Sequence, residues 1–407
     1  MSGSVVVTGL GVAAPNGVGV EEYWEATLAG VSGIRPISRF DTEGYPVGLA
    51  GEIGPFAAEA EFTKKLMPQT DRLTRLAMHI ADHALDDAAV VPAEWPEYAM
   101  GVAVSSATGG LEFGQRELQN LWGKGWESVS AYMSFAWYYA VNTGQISIRH
   151  GMRGPSGVVV SEQAGGLDSL AYARRRVRRG TPLMTAGGID GLLCPYGVAI
   201  QSTAPGRSTE TRPDRAYLPF DSGAGGWVPG EGGAVLVLES AAGAKDRGVP
   251  HVYGTVAGYG AAFDPDPHGS GGAGLLRAAR TALSDAALKP GEIDVVFADA
   301  AGVAAADRAE AGVLAELFGE RGVPVSAPKT MTGRLLSGGA ALDAVTALLA
   351  MRDGVIPAAV NVRPDATDPR VDLVTGSPRR LRCDAALVLA AGHGGFASAM
   401  VLTTEKG

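Results

Sequence analysis

A chain of 407 residues exceeds one small core, and 46% hydrophobic against 19% charged residues describes a buried globular protein rather than a disordered one. Its formal net charge of -9 argues against a nucleic-acid partner, whose phosphates require a cationic surface. Two distant cysteines, Cys194 and Cys383, exclude a disulfide scaffold or a zinc ribbon and fit a reducing compartment. No cationic start precedes an apolar run, and no apolar stretch approaches the roughly 20 residues of a membrane span, so a cytoplasmic protein with no membrane partner is expected.

Short β-branched runs alternate with Ala- and Leu-rich segments of helical period, the pattern of an α/β protein. Strands are predicted at 4–11, 100–106, 158–162, 234–239, 295–300 and 385–391. Several are apolar on successive positions, as strands buried on both faces are. Helices are predicted over 71–90, 165–180, 274–288 and 340–354, most of them ending near Gly or Pro. A polar stretch with Gly and Pro at 241–254 separates two strand-rich halves whose elements follow in similar order, and the Gly-rich run 263–274 reads as a loop.

Two segments invite a functional reading and do not sustain it. GLGVAA at 9–14 formally matches the GxGxxG/A dinucleotide fingerprint, which would suggest an oxidoreductase. Pro15, Asn16 and Gly17 interrupt it where the phosphate-binding helix should run, and no second strand ends in an acid about 20 residues on. His79 and His83 stand four apart on a predicted helix, but Ile80 occupies the position where a zincin needs Glu and no third ligand is evident. No metal site is expected.

The segment VVVSEQAGGLDSLAYARRRVRRG, residues 158–180, reads as strand, sharp turn, then helix. Ala164, Gly165 and Gly166 permit close backbone approach, and a nucleophile at such a turn gains from the helix N-terminus. Here the chain resembles the condensing enzymes, the ketosynthases of the thiolase-like family. Those enzymes place a cysteine two residues after Ser or Thr, then two small residues, then Gly-Leu-Asp or similar. Gly166, Leu167 and Asp168 keep that tail, while Gln163 stands at the nucleophile position. The family's first histidine, in Ala-His-Gly, corresponds to Ala301 within VVFADAAGVAAADRAEA, which keeps Gly302, Asp307 and Glu310. The second, in a Lys-led segment ending Gly-His, corresponds to Arg334 within APKTMTGRLLSGGA, which keeps Lys329 and Gly333. An amide carries no thioester, alanine offers no hydrogen bond, and arginine is no base near neutral pH. The closing AAGHGGF carries His393 where active relatives show Phe.

The resemblance implies a thiolase-like duplicated fold, two similar α/β halves packed as layered αβαβα, with an N-terminal half over 1–245 and a C-terminal half over 246–407. SEQAGGLD, PKTMTGR and SFAWYYAVNTGQISIRHGMRGPSG further resemble the chain-length factors, or ketosynthase beta subunits, of bacterial type II aromatic polyketide synthases. It implies a protein not catalytic by itself, paired as a heterodimer with a ketosynthase alpha subunit. The pair would extend a growing polyketide chain delivered on the phosphopantetheine arm of an acyl carrier protein, with no cofactor bound to this chain. A malonyl-carrier-protein decarboxylase of the Gln type is the catalytic alternative, although such domains keep both histidines.

In similar proteins the chain-length residues lie on a helix after the strand at 100–106. Leu111, Gly114 and Leu118 occupy that position, spaced to share one face, and Phe135 is a further tunnel candidate. Leucines around a glycine leave room, so a long product, on the order of a decaketide or more, is expected. The basic run Arg174, Arg175, Arg178 and Arg179 reads either as a helix end complementing its dipole or as a docking patch for an acidic carrier protein.

Overall fold

The computed structural model describes residues 3–405 except 47, 57–61, 63, 65 and 266–270. Part of the loop expected at 263–274 therefore lies outside the described residues. In the first half, β1 (Val5–Ala14), β2 (Met100–Ser105), β3 (Ser156–Gly157), β4 (Leu183–Asp190) and β5 (Gly232–Ser240) belong to the main sheet. In the second, β6 (Gly254–Phe263), β7 (Val295–Phe297), β8 (Pro324–Ser326), β9 (Asp372–Leu373), β10 (Ala385–Ala391) and β11 (Phe396–Thr403) continue it. The helices that matter are α1 (Arg72–Asp87), α2 (Leu111–Lys124), α3 (Val141–His150), α4 (Gly165–Arg178), α5 (Ala273–Asp285), α6 (Ala304–Phe318) and α7 (Ser337–Asp353).

The strand order is β9-β8-β7-β10-β11-β6-β1-β5-β4-β2-β3. Read outward from the β6/β1 contact, each half runs first strand, last strand, next-to-last, second, third; β9 adds an edge to the second half. The directions agree as well. The first three strands of each series are antiparallel and the next pairings parallel. This is the duplicated architecture that the resemblance implied.

The halves share a packing device too. A Cβ at Gly9 or Gly11 of β1 would lie 2.1 or 1.9 Å from the carbonyl oxygens of Ala84 and Ile80 on α1. In β6, a Cβ at Gly258 or Gly260 would lie 2.1 Å from those of Ala282 and Ala278 on α5. These glycines let a helix backbone lie directly on a strand. GLGVAA is accordingly the second half of a fully buried strand, and a tight hairpin that pairs Ala13 with Val18 separates it from the next helix, which begins only at Val20. The dinucleotide reading fails for that reason.

Helices α1 and α3 cover the outer face of the first half-sheet, α5 and α6 that of the second, and α4 and α7 lie between the two. Five layers result. Helix α7 is buried on every side from Ser337 to Met351, as a helix with small and apolar residues around its whole circumference must be. Where α4 crosses it, a Cβ on Gly166 would meet the Ala341 nitrogen at 2.5 Å, so only glycine permits the crossing.

The strand expected at 158–162 does not form. Pairing stops at Gly157, residues 158–160 run unpaired at the sheet edge, and Glu162–Ala164 makes a 3-10 turn. The strand expected at 295–300 ends at Phe297, because the backbone then turns through Ala300 at φ +48°. Strands β4, β6 and β11 were not predicted; their Gly- and Ala-rich residues carry little β preference of their own. His79 and His83 lie with ring centroids 4.1 Å apart beside Phe56, and the described residues hold no metal-ligand group.

Candidate functional site

Glu162 at φ +51° and Leu336 at φ +49° open the two central helices, each immediately ahead of its first turn or the turn leading into it. They are corresponding elbows of the duplicated halves. Gln163 ties them together. With its amide oriented to satisfy both ends, its nitrogen donates to the Leu336 oxygen at 3.1 Å and its oxygen accepts from the Leu336 nitrogen at 3.2 Å. The group at the nucleophile position thus serves as a backbone clamp.

Gln163, Lys329 and Arg334 line one narrow cavity with Tyr23, Leu342 and Asp343. Lys329 pairs with Asp343 at 2.8 Å and donates to the Ala298 and Asp299 carbonyls. Arg334 sends both terminal nitrogens to the Asp299 carboxylate at 3.1 Å and donates to the Asp299 and Ala391 carbonyl oxygens at 3.0 and 3.2 Å. Burial opposes the charge on Arg334, but Asp299, Tyr217 and Glu162 outweigh it and keep the guanidinium protonated. The position of the second family histidine is filled by a cation paired with Asp299.

Ala301 sits in the neighbouring pocket with Asp299, Glu310, Ala391 and Phe396. Its turn is pinned from behind. Glu310 accepts from the Asp299 and Ala300 nitrogens, both at 2.8 Å, and Asp307 from those of Gly302 and Phe220 at 3.0 and 2.9 Å. The Tyr217 hydroxyl donates to the Ala300 oxygen at 2.8 Å. Burial pushes the Asp307 carboxyl up to about 7, and burial with the nearby Asp299 charge raises Glu310 as well. The scaffold that would present a histidine is intact and presents a methyl group.

Asp299, Asp343 and Glu162 are site residues that the motif comparison did not single out. Asp299 lies two positions before Ala301, and its binding of Arg334 was the missing link between the two histidine segments. Glu162 accepts from the His393 N–H, with its carboxyl raised by burial against the pull of Arg334. Chemically, the centre offers no nucleophile, no neutral base and no oxyanion donor from a histidine.

The chain-length candidates lie elsewhere, on and beside α2. The buried face of that helix is Phe113, Gly114 and Glu117. A Cβ on Gly114 would stand 3.4 Å from the Trp137 Cβ. Leu111 is half-buried, beside the ion pairs that Glu231 makes with Arg39 and Arg72. Leu118 is 38% exposed and lines an open hollow with Gln115, Trp122 and Tyr196. Phe135 packs edge-on against Tyr132, 5.9 Å away. Leu111 and Leu118 thus line separate hollows. Of the basic run, Arg174 is buried, pairs with Asp285 and donates to the Ala257 carbonyl, so it cannot meet a docking partner. Arg175, Arg178 and Arg179 are exposed.

The family profile described as Beta-ketoacyl synthase, N-terminal domain matches residues 2–244, and that described as Beta-ketoacyl synthase, C-terminal domain matches 253–363. The tetracenomycin polyketide synthase ketoacyl synthase beta subunit of Streptomyces glaucescens is 56% identical over 400 residues, 98% of each chain. Among solved structures, the ishigamide ketosynthase/chain length factor superposes with a TM-score of 0.90 at 28% identity, covering 99% of this chain and 100% of that one. A type II polyketide synthase acyl-carrier protein in complex with its ketosynthase bound to the hexaketide gives 0.88 at 25%, with the same coverage. The chain belongs to the beta-ketoacyl synthase family, in its branch of polyketide synthase ketoacyl synthase beta subunits, the chain-length factors.

Proposed function

We propose that this protein is a non-catalytic chain-length factor that pairs with a ketosynthase alpha subunit and sets the length of a poly-β-ketone. One observation carries the reading. All three catalytic groups are replaced, and their places are occupied by the Gln163–Leu336 clamp, the Arg334–Asp299 pair and the Ala301 methyl, while the scaffold around them keeps its bonds.

The exposed surface supports a partner. Trp122 and Trp126 are 83% and 76% exposed, with Trp137, Tyr138, Tyr139 and Val160 also open near α2 and the unpaired edge at 158–160. Such aromatic surface beside an open strand edge is a liability unless another chain covers it. Leu118 lies in this region, so a tunnel wall on α2 closes when the alpha subunit is seated. The intermediate is carried on the phosphopantetheine arm of a carrier protein, in the cytoplasm, and no cofactor is held by this chain. Helix α4 begins beside Gln163 and is about 21 Å long at 1.5 Å per residue, so Arg175, Arg178 and Arg179 sit far from the degenerate centre. Any carrier docking there serves the partner's active site.

Leucine and glycine along α2 leave space for a long product, a decaketide or more. Co-expression with the cognate ketosynthase and carrier protein, followed by mass measurement of the polyketide, tests this. Leu118→Trp is expected to shorten the product; an unchanged length removes α2 from the tunnel. Gly114 is a poorer probe, because a Trp there overlaps Trp137. The decarboxylase alternative has a direct check. Purified protein given malonyl-carrier protein is expected to form no acetyl-carrier protein, and formation abolished by Gln163→Ala would reverse the assignment.

A further inference from the structure

One buried carboxylate holds the segment that leads from β2 into α2. Asp190, the last residue of β4, accepts from Ser106 Oγ at 2.8 Å, the Ala107 nitrogen at 2.7 Å, the Thr108 nitrogen at 3.1 Å and Thr108 Oγ1 at 2.7 Å. It also accepts from the Ser337 nitrogen at 3.1 Å, the first residue of α7. Ser337 follows Leu336, whose backbone holds the Gln163 amide. Helix α2 itself has Gly110 as its N-cap and no side-chain cap of its own. A second buried carboxylate, Asp71, caps α1 through the Leu73 nitrogen and reaches the Phe113 nitrogen in the first turn of α2, both at 2.8 Å. Between the two acids, the Gly110 nitrogen donates to the Trp137 carbonyl at 3.1 Å.

We propose that Asp190 is a positioning residue for product length: it fixes the root of α2 against α7 and so sets where the Leu111–Leu118 face stands, without touching the product. The inference rests on the reading of α2 as the chain-length helix. The leverage is geometric. Helix α2 is about 21 Å long, so a tilt of about 5° at its root displaces its far end by about 2 Å, on the scale of one carbon–carbon bond. A carboxylate is required because five donors converge on it, and an amide would turn its own N–H groups toward some of them.

The test uses the complete assembly, co-expressed with its ketosynthase and carrier protein, and reads the distribution of product lengths. Four variants are compared. Asp190→Asn exchanges one of the two acceptor oxygens, and the charge, for an N–H donor, and Thr108→Val removes one hydroxyl donor with little loss of volume. Glu239→Gln is the control, a buried acid at the other end of β5, bound by Thr8 and Arg247. Leu118→Trp reports on α2 directly. Asp190→Asn is expected to lower the ratio of the principal length to all others by about tenfold, the change that loss of one charge-assisted hydrogen bond produces in a two-pose equilibrium. Thr108→Val shifts it in the same direction, and Glu239→Gln lowers yield alone.

An unchanged distribution in Asp190→Asn, or equal broadening by Glu239→Gln, overturns the proposal. If Asp190→Asn does not accumulate, Thr108→Val decides on the same criterion. Where Leu118→Trp shortens the product but Asp190→Asn and Thr108→Val leave the distribution intact, only this inference fails. Where Leu118→Trp changes nothing either, the reading of α2 fails with it.

Discussion

At Arg334 a catalytic position has become a structural one, and the exchange has a measurable consequence. The guanidinium and the Asp299 carboxylate are both buried, so neither charge can return to water when its partner is removed. Arg334→Ala is expected to cost ~3–5 kcal/mol, read from the urea midpoint, because it strands Asp299. Asp307 makes a second prediction. Its folded carboxyl sits at about 7 against an ordinary 3.8, so between those values the folded state holds a proton that the unfolded state has released. Stability from this group is therefore greatest at the acid end and falls as pH rises from about 4 to about 7. Asp307→Asn is expected to flatten the melting temperature against pH across that window, and an unaltered slope would remove Asp307 as its source. The replacements Gln163, Ala301 and Arg334 were legible through the resemblance of their segments to condensing-enzyme motifs. Their partners were not, since Leu336 and Asp299 reach them from other parts of the chain.

Among the elements, α7 shows how far a residue pattern reaches. Its run of small and apolar residues is evident in SGGAALDAVTALLAM, and its complete burial follows from that composition. Which helix it crosses does not. Gly166 is the point where α4 meets it, and Gly166→Ala is expected to destabilise the fold by ~1–3 kcal/mol in chemical denaturation, since the Ala341 backbone has no room to yield. Strand prediction worked where Val and Leu dominate, as in β1, β5 and β10, and failed for LMTAGGID and FASAMVLT. Those segments are strands because their neighbours pair with them on both edges. The absence of the strand expected at 158–162 has the opposite cause. VVV has high β preference, yet it lies at the sheet edge with no strand beyond it in this chain.

Over the whole molecule, two copies of one strand order meet at β1 and β6, and their central helices open at elbows bridged by Gln163. The ketosynthase framework therefore survives loss of its chemistry, because its cohesion lies in the α4/α7 layer rather than in the catalytic side chains. The linear chain determined the α/β class through its composition and local period, and its resemblance to condensing-enzyme motifs pointed to the family and to Gln163, Ala301 and Arg334 at the positions of the catalytic groups. Tertiary structure decided that the two halves share one topology, that Arg174 is inward and unavailable, and that GLGVAA is a strand carrying a helix. It also brought Asp190 and Asp71 together around the root of α2. Those facts depend on contacts between residues tens to hundreds of positions apart, which a local pattern does not encode.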